Sequence, residues 1–152
     1  MLDAPAKEER MEGSSPARLY ATLVGGTLVV AGIIGFFYSS SFNTNPAYVD
    51  DVFGILSVNG WHNMVHILTG ALGLLVAGYA ARQYALGLGA VYIVIAIWGF
   101  IIGSGDFILG FIPVNTEDNF LHLILGVLGV AAGVATPVTE PSRPTPPAAP
   151  AP

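Results

Sequence analysis

The chain has 152 residues, of which 53% are hydrophobic and only 10% charged, where soluble domains average about a quarter charged. Such a chain cannot cover its core with polar surface, which excludes an ordinary soluble domain. Its net charge of -5 makes nucleic acid an unexpected partner, and the absence of cysteine excludes disulfides, thiolate metal sites and cysteine nucleophiles.

Residues 1–17 mix charges with Pro, Ser and Gly, and are expected to be a disordered cytoplasmic segment. The first apolar stretch, Leu19 to Tyr38, has no signal-peptide character: acids balance bases before it, it is too long, and no small-x-small cleavage site follows. A polar, turn-rich stretch with Ser39, Ser40, Ser41, Asn43, Asn45 and Pro46 leads into the loop VDDVFGILSVNG. The remaining apolar stretches are Met64 to Ala80, Tyr84 to Gly103 and Phe120 to Thr136, the last preceded by the loop GDFILGFIPVNT. At 1.5 Å per residue even the shortest reaches about 26 Å, close to a bilayer core of about 30 Å. Residues 137–152, PVTEPSRPTPPAAPAP, form a Pro/Ala-rich tail expected to be disordered and cytoplasmic.

The second half of the chain repeats the first. Asp50, Gly54, Val58, Asn59, Asn63, His66, Gly70 and Gly73 recur in the same order and spacing as Asp106, Gly110, Val114, Asn115, Asn119, His122, Gly126 and Gly129. Upstream, Arg18, Tyr20, Ala21, Gly25, Gly35 and Phe36 recur as Arg82, Tyr84, Ala85, Gly89, Gly99 and Phe100. The expected fold is all-α: an integral membrane four-helix bundle of residues 18–136, built from two tandem parallel two-helix repeats, 18–80 and 82–136.

Threading four spans puts Lys7, Arg10, Arg18, Arg82 and Arg143 on one side, so by the positive-inside rule both termini are cytoplasmic in the cell membrane. The opposite loops carry Asp50, Asp51, Asp106, Glu117 and Asp118, placed where positive charge would misdirect insertion. Small residues suit close helix approach: Gly25, Gly32 and Gly35, then Gly70, Gly73 and Ala77, then Gly99 and Gly103, then Gly126, Gly129 and Gly133. The apolar outer loops are expected to fold back against the bundle, with Asn59 and Asn115 as N-caps and Asp118 completing a box-like cap. The small-residue seams serve intramolecular packing or a homodimer contact.

His66 and His122 each begin the small-residue stripe of their helix and are expected to face the interior. The plainer reading is a pair of hydrogen-bonding histidines tying the outer loops to the helices. The alternative is axial ligation of haem b in a membrane electron-transfer protein. A zinc-like set of His62, His66 and His122 with Asp118 or Glu117 is only half repeated, because His62 aligns with Asp118; no metal site is expected on that ground. No serine, lysine or acid-base pair accompanies a histidine in a nucleophile motif, so no catalytic residue and no enzyme activity are expected.

The segments R-L-Y-A, V-N-G-W-H-N-M-V-H-I-L-T-G-A-L-G, R-Q-Y-A-L-G-L-G-A-V-Y and I-P-V-N-T-E-D-N-F-L-H-L-I-L-G-V resemble the bacterial four-span membrane proteins grouped as domain of unknown function 4383. The resemblance covers about Ala17 to Thr136, and Asn-x2-His-x3-Gly is its most specific part. It implies a small membrane protein without an assigned activity and carries over no cofactor or catalytic residue. The function expected is a structural or accessory component, whose partners are the lipid bilayer and a second copy or a larger membrane complex.

Overall fold

The computed structural model describes residues 15–138. Four helices form the bundle: α1 (Pro16–Tyr38), α2 (Gly60–Val76), α3 (Ala81–Ile102) and α4 (Thr116–Ala135). Helix α1 starts within the segment expected to be disordered, because Pro16 sits in its first turn and the Ser15 hydroxyl accepts from the Arg18 amide at 3.2 Å. The rest of the two expected tails, residues 1–14 and 139–152, lies outside the described residues. Helix α3 stops at Gly103, whose φ of 97° is a left-handed conformation that glycine tolerates without steric cost.

Close helix pairing follows from glycine. A methyl group added to Gly70 on α2 would lie 2.5 Å from the Gly25 carbonyl oxygen and 2.8 Å from the Val29 amide, both on α1. The matching crossing of α3 and α4 sets Gly89 against Gly126, where an added methyl on Gly89 would lie 2.8 Å from the Gly126 oxygen. Backbones approach this closely only where neither helix carries a side chain. Gly35 and Gly99 instead make room for side chains, the amides of Asn63 and Asn119.

The two helix pairs are joined crosswise by tyrosine. Tyr20 of α1 lies over Gly129 of α4 and donates its hydroxyl to the Leu125 carbonyl at 2.9 Å. Tyr84 of α3 lies over Gly73 of α2 and donates to the Thr69 carbonyl at 3.0 Å. Both rings belong to the buried core, with Ala17, Ala21, Leu28, Ala85, Leu88 and Tyr92. The glycine provides the notch, the ring fills it, and the hydroxyl satisfies a helical carbonyl.

The loops at the other end fold back as expected, but as β-hairpins that helical periodicity does not announce. Strands β1 (Asp50–Val52) and β2 (Leu56–Val58) pair antiparallel, as do β3 (Phe107–Ile108) and β4 (Ile112–Pro113). Each turns through two residues of positive φ, Phe53 (53°) with Gly54 (70°) and Leu109 (54°) with Gly110 (78°). That pairing of φ values suits the right-handed twist of a tight hairpin. Phe and Leu adopt it at a cost of order 1–3 kcal/mol.

Asn59 and Asn115 interlock the hairpins. Each caps its own helix, accepting from the His62 amide at 2.9 Å and the Asp118 amide at 2.8 Å, and Asp118 completes the expected capping box at Asn115. Each then reaches across: the Asn59 amide donates to the Phe111 carbonyl at 2.8 Å, and the Asn115 amide donates to the Ile55 carbonyl at 2.6 Å.

Large apolar side chains remain exposed on every helix, among them Val30, Leu75, Ile101 and Val134. Helices α1, α3 and α4 are long and apolar enough to cross a membrane. Helix α2, with 17 residues, is shorter.

Candidate functional site: histidines beneath the hairpins

Helices α2 and α4 begin directly below the interlocked hairpins, and one face of each first turn is buried there: Gly60, His62 and Asn63 on α2, Asp118 and Asn119 on α4. His62 and His66 are one helical turn apart on α2, and Asp118 and His122 are one turn apart on α4, so each pair shares a face. The rings on those faces meet beneath the hairpins, where α2 and α4 begin. The His62 and His66 ring centroids are 4.4 Å apart, those of His62 and His122 are 6.1 Å apart, and Tyr92 of α3 lies 5.0 Å from His122. One ring nitrogen from each of His62, His66 and His122 lies within 4.8 Å of the others.

The expected pair His66 and His122 is therefore interior, with His122 buried and His66 half-buried. Repeat logic set His62 apart from that pair, and the structure places it between them as the most enclosed of the three, 2% exposed. Glu117 is exposed on the far side of the first α4 turn, while Asp118 is 4% exposed and lines the same cavity as the histidines.

Hydrogen bonding distinguishes the rings. His62 Nδ1 lies 2.8 Å from the Ser57 carbonyl oxygen, an acceptor only, so Nδ1 carries a proton and Nε2 points onward. The Ser57 amide in turn donates to Asp118 Oδ2 at 3.0 Å, and the same oxygen accepts from the Asn115 amide at 3.2 Å. The strand residue Ser57 thus ties His62 to Asp118. By contrast, among the described residues His122 Nδ1 and the Tyr92 hydroxyl are buried without a hydrogen-bond partner, as are Asn63 Oδ1 and Asn119 Oδ1, an arrangement that native interiors seldom leave unexplained.

A cavity of about 240 Å³ opens between α1 and α4 under the first hairpin. The three histidines, Tyr92 and Asp118 provide its polar wall; Ala31 and Leu125 are among its apolar lining. The volume lies below the roughly 300–1,000 Å³ of ordinary ligand pockets, and a porphyrin needs more than that. With His62 beside both other rings, no slab-shaped space separates His66 from His122, so the haem alternative is not favoured.

Four helices, apolar on their outer faces and closed at one end by hairpins over a histidine cluster, define a helical bundle of the integral membrane type. The chain belongs to the family defined by a domain of unknown function, DUF4383, whose model matches residues 18–135. No match is found among curated proteins or among solved structures.

Proposed function

We propose that this is a four-span protein of the cell membrane with its hairpins on the outer face, serving as a structural or accessory component in a homodimer or a larger membrane complex. The observation that carries the reading is the exposure of large apolar side chains on all four helices, with basic and acidic groups at opposite ends. In water such faces drive association; in lipid they are the solvated surface. Arg18 and Arg82 lie at the end away from the hairpins, where Arg82 Nε donates to the Thr136 carbonyl at 3.2 Å. Asp50, Asp51 and Asp106 lie on the hairpins and are exposed, a charge distribution that supports a basic end facing the cytoplasm. Helix α2 spans despite its length because its first turn sits beneath the hairpins and its far end passes into α3 through a tight turn. The segments before α1 and after α4 then face the cytoplasm.

The absence of cysteine makes the test direct. Asp106→Cys, on the second hairpin, is expected to react with a membrane-impermeant maleimide in intact cells. Gly78→Cys, in the turn between α2 and α3, reacts only after lysis. The reverse pattern overturns the orientation, and recovery of the chain in the soluble fraction overturns the membrane assignment. A detergent-solubilised particle holding a single copy, with no co-purifying subunit, counts against the accessory role.

A further inference from the structure

We infer that His62, His66 and His122 form a binding site for a divalent transition-metal cation of the zinc class, with Asp118 as its outer carboxylate. The cluster has the donor set that such ions take, three imidazoles converging from two helices. Tetrahedral zinc with bonds of about 2.1 Å holds its ligands about 3.4 Å apart, so small inward rotations of the rings close a set whose nitrogens lie within 4.8 Å of one another.

Three features separate this cluster from histidines that merely fill space. His62 is held in one orientation by donating Nδ1–H to the Ser57 carbonyl, which leaves Nε2 as a lone-pair donor; outer hydrogen bonds of this kind accompany metal-binding histidines. His122, 6% exposed, keeps Nδ1 buried without a partner, a cost that a metal ion or its bound ligand removes. Asp118 lines the same cavity, and its Oδ2 accepts from the amide of Ser57, the residue whose carbonyl takes the His62 Nδ1–H, so a carboxyl group stands one backbone step from the cluster. Three protein ligands leave one position open, as in catalytic rather than structural zinc sites. Here that position is left to water or a small ligand in the 240 Å³ cavity, which the Tyr92 hydroxyl, also buried without a partner among the described residues, lines as well.

The experiment uses the full chain in detergent micelles, stripped with a chelator and titrated with zinc, then with cobalt(II) as a spectroscopic substitute. The expected result is one zinc per chain, with cobalt showing the intense visible bands of a tetrahedral nitrogen-ligated centre. His62→Ala, His66→Ala and His122→Ala each abolish those bands, and Asp118→Asn weakens zinc binding by about 10- to 100-fold. Should the alanine variants fail to fold, the wild-type cobalt spectrum decides: tetrahedral bands support the site, and an octahedral aquo-like spectrum overturns it. Failure to bind zinc, or undiminished binding in a folded triple variant, overturns it equally. Neither result bears on which way the bundle faces in the membrane, so the proposal stands or falls apart from that reading.

Discussion

Asn59 and Asn115 each serve two helix pairs at once, capping one with the side-chain oxygen and bonding the opposite hairpin with the side-chain nitrogen. A lost N-cap costs about 1 kcal/mol, and a lost buried hydrogen bond about another. Asn115→Ala is therefore expected to destabilise the folded chain by about 2 kcal/mol. Asn115→Ser, which keeps a capping oxygen and gives up the reach, recovers roughly half of that loss. Thermal or denaturant unfolding in one fixed detergent measures both, and equal losses for Ala and Ser refute the double role. The caps are legible in the sequence because their signal is local: an Asn just ahead of each apolar run, with an acid three residues on at Asn115. The reach to Phe111 and Ile55 is not, since it depends on two hairpins meeting. His62 shows the opposite bias. The repeat sets it aside as the unrepeated histidine, whereas the fold brings the unlike residues His62 and Asp118 to the wall of one cavity.

At the level of helices, apolar runs expose all four elements, and their ends are set by Ser15, Asn59, Gly103 and Asn115. The hairpins escape such a reading because strands of two or three residues are too short to show alternation. The repeated Phe-Gly and Leu-Gly steps between apolar residues are the one signal available, and Phe and Leu are poor candidates for positive φ. Small-residue spacing is a partial guide to packing. It singles out Gly103, which ends α3 with open space around it, and passes over Gly89, which meets Gly126 backbone to backbone. The consequence is testable by paired substitution. Gly70→Ala and Gly126→Ala push helices apart and are expected to cost about 1–3 kcal/mol each. Gly26→Ala and Gly87→Ala, where an added methyl meets nothing within 4 Å, are expected to be neutral or slightly stabilising, by up to about 1 kcal/mol. Equal effects at all four positions exclude close approach as the reason for the glycines.

Across the whole molecule, the backbone-to-backbone glycine contacts fall within each helix pair, while the pairs are joined by the buried core that α1 and α3 share and by polar contacts, among them two tyrosine hydroxyls and two asparagine amides at the hairpin end. A chain cut in the turn at Gly78 leaves each glycine-packed pair intact. Its two halves, co-expressed, are expected to co-purify, and Tyr20→Phe together with Tyr84→Phe weakens their association. Independent purification of the halves refutes that division of labour. One difference between the hairpins gives this nearly symmetric object a front and a back. Asp118 is held by the amide of Ser57, and the corresponding residue of the second hairpin is Pro113, which has no N–H to give. Exchanging the two residues, His62→Asp with Asp118→His, would therefore not yield a mirror image, because an acid at 62 would face a ring nitrogen without a proton. Only one of the two seams holds a carboxyl group tied to the neighbouring hairpin's strand, so the duplicated halves of this bundle are bolted together unequally.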